Sequence, residues 1–202
     1  MRTTTPVLLI GAIAWLLLGC QVADNTKQAV NSVSRHIASQ THSRSWLLVD
    51  QRTDTLSVMV GVKPLKVFDN VAFGRNGVGH KRKEGDGITP LGTYHIRWVN
   101  PNSRFKLFFG LDYPTAQQAR QAFAQGRISR ADYQAIVHAD QTHGIPPQKT
   151  PLGGEIGIHG VGHANGRAHL EKDWTQGCIA LTDQQIDELA NYIHMGMKVV
   201  IR

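Results

Sequence analysis

Two residues in this chain are of the types, and at a spacing, from which a thiol nucleophile can be built. Cys178 closes the run Thr175-Gln176-Gly177-Cys178. His159 lies nineteen residues earlier, at the end of the stretch "EIGIHG". A thiol is a weak nucleophile at its free pKa of about 8.5, and a neighbouring imidazole can convert it to thiolate. On that reading Cys178 should react with iodoacetamide well below about pH 8. Gly177 lets the backbone turn sharply and can leave an amide hydrogen facing a reacting carbonyl. The competing reading is a buried cysteine acting as a small hydrophobe. Zinc binding by His159, His163, His169 and Cys178 is a further option. It is disfavoured because Gly-Val-Gly between His159 and His163 is a poor helix, so no metal is expected. His163 and His169 then read as surface residues.

The elements that must hold these groups can be read from periodicity and caps. Trp46–Asp50 and Thr55–Val60 form a hairpin across the turn Gln51–Asp54, the second strand alternating on a period of two. Lys66–Phe73 is expected to be a strand and Gly74–Gly92 a long loop. "GTYHIRWV" is the next strand, and Pro101–Gly110 reads as irregular. Thr115–Gln125 is helix-forming. Ser129 caps a second helix through His138, with Asp132 at its third position. Glu155–His159 is a short strand. Thr182 caps a helix carrying Ile186, Leu189, Ala190 and Ile193, which Gly196 closes before a last strand. Strands outnumber helices, so the fold class is mainly β, with a helical insertion near 114–143 and a short helix after Cys178.

Composition narrows the partners. Lys and Arg number 22 against 15 Asp and Glu, a net charge of +7, which favours anionic partners. The densest basic run, His80-Lys81-Arg82-Lys83, is followed at once by Glu84 and Asp86, and no basic cluster is interleaved with aromatics. Nucleic acid is therefore not an expected partner. The N-terminus points to export. Arg2 precedes an uncharged stretch from Pro6 to Gly19, too short to span a bilayer comfortably but suited to the apolar region of a secretory signal. An ordinary signal peptide or an uncleaved anchor would also fit. Residues 21–43 are polar and read as a tether or a short weak helix. The expected organisation is a signal over 1–19, a tether over 20–43 and one domain over 44–202.

Two resemblances sharpen these readings. Leu17-Leu18-Gly19-Cys20 resembles the lipobox of bacterial lipoproteins. That implies cleavage before Cys20, a lipid on its sulfur and a membrane-anchored protein facing the periplasm; Gln21 leans toward the outer membrane. If Cys20 is lipidated, Cys178 has no disulfide partner. His159-Gly160 followed by Thr175-Gln176-Gly177-Cys178 resembles the L,D-transpeptidase catalytic domain, also called the YkuD domain. "KRKEGDGITPLGTYHI" (81–96), "NPNSRFKL" and "LDYP" agree with it, so the resemblance covers about 44–202. It implies a β-sandwich-like or mixed-sheet fold and a cofactor-free cysteine enzyme acting on peptidoglycan stem peptides. Cys178 would attack the third residue of a tetrapeptide stem and His159 would move the proton. A backbone carbonyl near Gly160 would orient the imidazole, and amides near Gly177 and Cys178 would hold the oxyanion.

Many members carry Arg two residues after the cysteine, where this chain has Ala180. Arg167, Lys172 or Arg75 is then a candidate substitute cation, with Arg82 and Lys83 of the same standing. Thr175, Gln176, Arg167 and His163 are the candidates for substrate contact. Thr89, Pro90 and Gly92 are expected to shape the fold near the site, and Trp174 to pack beside the loop. A hydrolase of the same fold, or a noncatalytic wall-binding module, remains open.

Overall fold

In the computed structural model the chain falls into two units, Met1–Ser43 and Arg44–Arg202. The structure describes residues 44–163, 169 and 173–202, together with Ser32. The expected signal, Cys20 and the body of the tether lie outside the described residues.

The second unit is built on a mixed eight-stranded sheet. Its strands are β1 (Ser45–Asp50), β2 (Thr55–Val60), β3 (Lys63–Phe68), β6 (Gly92–Ser103), β7 (Lys106–Leu111), β8 (Gly157–His159), β9 (Ile179–Ala180) and β10 (Lys198–Ile201), in the order β3-β2-β1-β10-β6-β7-β8-β9. A separate small pair joins β4 (Val78–Gly79) to β5 (Thr89–Pro90) inside the stretch read as loop. The last strand inserts beside the first: β1 runs parallel to β10, and β10 runs antiparallel to β6. Leu47, Val49, Leu56, Val58, Tyr94, Ile96, Ile158, Ile179, Val199 and Ile201 fill one core. Helix α3 (Asp183–Leu189) joins it through Ile186 and Leu189. Helices α1 (Ala116–Ala124) and α2 (Arg130–Gln141) form a satellite cluster around Ala119, Ala122, Ile128, Ile136 and Leu152.

Thr115, Ser129 and Thr182 each head a capping box, satisfying backbone donors at the helix starts. Three expectations need correction. Lys66–Phe73 is displaced: β3 occupies Lys63–Phe68, and the chain leaves the ladder near Asn70, whose φ is +57°. Pro101–Gly110 is not irregular, because β6 runs on to Ser103 and pairs with β7 through two register shifts. Those shifts break the alternation that marks a strand in sequence. The helix after Thr182 stops at Leu189, well short of Gly196. There the backbone tightens, Asn191 N–H donating to the Glu188 carbonyl and Tyr192 N–H to that of Leu189, while the Asn191 side chain adds a second bond to Glu188.

Candidate active site

Strands β8 and β9 bring the two chemistry-bearing residues together. They pair in parallel, Ile158 opposite Ile179 and His159 opposite Ala180. Cys178 is two residues before Ala180, so it shares the face that His159 uses. Both side chains line one cleft of about 1260 Å³, walled by Trp98, Phe105, Phe108 and Trp174 among others.

The Thr175–Cys178 loop is fastened from several sides. Phe73 N–H donates to Asp173 Oδ1 at 2.7 Å, Arg75 N–H to the Thr175 carbonyl at 2.9 Å, and Thr175 N–H to the Phe73 carbonyl at 3.0 Å. The Thr175 hydroxyl donates to the Cys178 carbonyl at 2.7 Å and accepts from Gly177 N–H at 3.1 Å. Fully buried Thr89 also reaches the Cys178 carbonyl, at 3.4 Å, and accepts from Gly74 N–H. Thr175 is therefore a loop brace with its hydroxyl engaged. The Gly177 amide is engaged too, which removes it as an open oxyanion donor. What Gly177 does supply is backbone shape: φ is +136°, and a Cβ there would sit 2.8 Å from the Ile88 carbonyl oxygen.

His159 is 1% exposed. Its Nδ1 lies 2.6 Å from the Gly160 carbonyl oxygen. A carbonyl can only accept, so Nδ1 carries the proton and Nε2 keeps its lone pair. The ring stacks on Phe105 (4.3 Å between centroids, 22° between planes) and lies near-parallel to Phe108 at 5.9 Å, with Trp174 edge-on. This burial drives the His159 pKa down to about 4, against the pull of the Gly160 hydrogen bond; the charge of Arg104 adds a smaller push downward. The imidazole is neutral at physiological pH.

Cys178 lines the cleft, is partly exposed and has no disulfide partner among the described residues. Its Sγ donates to the Glu155 carbonyl at 3.2 Å. Burial pushes the thiol up to about 11, opposed by a backbone hydrogen bond from Gly157 and by the charge of Lys81. Both shifts favour the uncharged forms, a neutral thiol and a neutral imidazole lining the same cleft. That differs from the thiolate expected from sequence, because the aromatic packing around His159 disfavours the imidazolium a thiolate would need beside it.

The other expected site residues divide. Gln176 and His163 are exposed and line the cleft. Arg167 and Lys172 lie outside the described residues. Arg75 turns to the Gly85 carbonyl. His169 is no surface residue: it is 3% exposed, and its Nδ1 accepts from the Trp174 indole N–H at 3.3 Å. Three cleft residues were not anticipated as such. Lys81 is held against Asp86, which also accepts from the amides of Arg82, Lys83 and Ile88. Phe105 and Arg104 occupy the tip of the β6–β7 hairpin, in a stretch read as irregular, and only the fold carries them to His159. Among the described residues, no group of three or more His, Cys, Asp or Glu could hold a metal ion.

The family model for the L,D-transpeptidase catalytic domain (YkuD) matches residues 44–201. No curated protein matches the chain. Among solved structures, the helical cell shape determining protein Pgp2 of Campylobacter jejuni is 22% identical with a TM-score of 0.52, covering 78% of this chain and 47% of that one. A mutant form of Pgp2 gives 0.55 at the same identity, covering 78% and 46%. Bd1075 of Bdellovibrio bacteriovorus is 20% identical with a TM-score of 0.50, covering 79% and 48%. At these identities the likeness is one of fold, and the chain spans about half the length of those proteins. With the family match extending over the whole sheet and the cleft, the chain belongs to the L,D-transpeptidase catalytic domain (YkuD) family.

Proposed function

We propose that this protein is a cysteine-dependent peptidoglycan L,D-transpeptidase that works on tetrapeptide stems through a thioester. The observation that carries the reading is that His159, at the end of β8, and Cys178, just before the paired strand β9, line one cleft, with Nδ1 of His159 fixed on Gly160. Nε2 is then the ring nitrogen left to act as base.

The thiol proton passes to Nε2 as Sγ bonds to the carbonyl carbon of the third stem residue. The tetrahedral oxyanion needs a backbone donor. With Gly177 N–H engaged by Thr175, the Cys178 amide is the loop donor assigned to it. As the intermediate collapses, the C–N bond to the terminal D-alanine breaks and the imidazolium returns its proton to the leaving amine. An amine of a second stem then attacks the thioester. It gives a proton to Nε2, the S–C bond breaks, and the thiol is restored. Starting from neutral partners, the enzyme forms imidazolium only during turnover, in the manner of a general base rather than a resting ion pair.

The test is incubation with purified tetrapeptide muropeptides and mass spectrometry of the products. Crosslinked dimers lacking one D-alanine, absent with Cys178→Ser, support the proposal. Tripeptide monomers alone would replace it with the hydrolase reading. No product from either protein would favour a binding module.

A further inference from the structure

The cation that would meet a substrate carboxylate has no place at Ala180, and among the described residues the cleft offers three others: Lys81, Arg104 and Lys149. Lys81 is committed, its side chain 2% exposed and paired with Asp86. Lys149 is exposed and lies on no aromatic ring recorded among the described residues. Arg104 differs from both. It is exposed, and among the described residues it has no carboxylate within ion-pair distance. Its guanidinium carbon lies 4.7 Å from the centroid of the Phe105 ring, and Phe105 in turn stacks on His159. A guanidinium held over a ring face keeps its N–H groups available to a bidentate acceptor. The backbone at the same point is fixed, because His163 N–H donates to the Arg104 carbonyl at 3.1 Å.

We infer that Arg104 is a specificity-determining residue that receives a carboxylate of the peptide substrate, and that the Arg104–Phe105–His159 stack places this carboxylate beside the catalytic base. The inference deepens the transpeptidase reading and rests on it for the identity of the peptide. It has a consequence for the base. The positive charge of Arg104 opposes protonation of His159. A carboxylate bound to Arg104 offsets that charge, so the occupied cleft favours the imidazolium that attack by Cys178 requires. Among the described residues the acids of the cleft, Glu84 and Glu155, come from other loops and form no ion pair with Arg104.

The experiment alkylates the full chain at low ionic strength with iodoacetate and iodoacetamide, two reagents of similar shape that differ by a carboxylate. Modification is read at the Cys178 peptide by mass spectrometry. Arg104→Gln should lower the iodoacetate-to-iodoacetamide rate ratio by about fivefold, the scale of one close charge pair in water, and Lys149→Gln should not. In parallel, stem peptides with free and amidated carboxylates are compared for KM and kcat. Arg104→Gln should raise KM for the free acid and abolish its preference over the amide. An alkylation ratio unchanged by Arg104→Gln, or lowered equally by Lys149→Gln, overturns the proposal. A lowered ratio with no turnover of any stem peptide would uphold the carboxylate site and reject the transpeptidase reading.

Discussion

His159 is the residue on which pH should act most visibly. Burial holds its folded-state pKa near 4, whereas the unfolded chain titrates near the ordinary value of 6.5. Below 6.5 the unfolded state therefore binds the extra proton first. Stability contributed by this group is present in full above 6.5, falls as pH drops toward 4, and levels off below that. The change is at most about 3 kcal/mol. Urea midpoints measured from pH 7.5 to pH 4 should fall more steeply for the native protein than for His159→Gln; parallel slopes would show an imidazole open to water. The acid limb of kcat/KM should lie near 4 for the same reason. Gly177 makes a prediction of a different kind. With φ at +136° and the Ile88 carbonyl in the way, Gly177→Ala must move the loop. A loss of about 1–3 kcal/mol in urea unfolding is expected, with activity falling further than stability because Cys178 is displaced with its neighbour. Retained turnover in Gly177→Ala would show that the loop conformation is dispensable.

At the scale of elements, the β6–β7 hairpin sets the surroundings of His159, since it brings Phe105 and Phe108 near-parallel to the ring. Phe105→Ala should admit water to the imidazole, move the acid limb of kcat/KM upward from about 4 toward 6.5, and lower kcat about tenfold, while Phe105→Tyr keeps both near native. Titration of His159 by NMR reads the same effect without substrate; an unmoved pKa would reduce Phe105 to a packing residue. This hairpin is also where the sequence was least informative. The three capped helix starts and the β1–β2 hairpin were legible because local chemistry decides them: Thr115, Ser129 and Thr182 cap their own turns, and Thr55–Val60 alternates. The pairing of β6 with β7 is decided by partners across two register shifts, which leave no period to read. The His159 and Cys178 motifs were legible as spacing. The neutral state of the pair was not, because it depends on rings from residues 105, 108 and 174 that only the folded sheet gathers.

For the whole molecule the question is where such a cleft would work. An excess of seven positive charges suits an anionic wall polymer. We propose that the apolar run ending at Gly19 is removed and that Cys20 carries lipid, as the lipobox-like run Leu17-Leu18-Gly19-Cys20 implies; several acyl chains would hold the protein stably where one would not. Residues 21–43, even fully extended, span at most about 80 Å, so an anchored domain would meet only wall close to its membrane. Cys20→Ser expressed in a bacterial host should lose incorporation of labelled fatty acid, leave the membrane fraction, and lower the wall's content of the crosslinks formed by the native chain. Purified and assayed on soluble muropeptides, it should turn over like the native domain, because Cys20 lies outside Arg44–Arg202, the unit that contains the cleft. A variant that remains in the membrane fraction would argue for an uncleaved anchor. One that leaves the membrane yet crosslinks wall at the native level would show that confinement contributes nothing, and that the cleft alone selects its substrate.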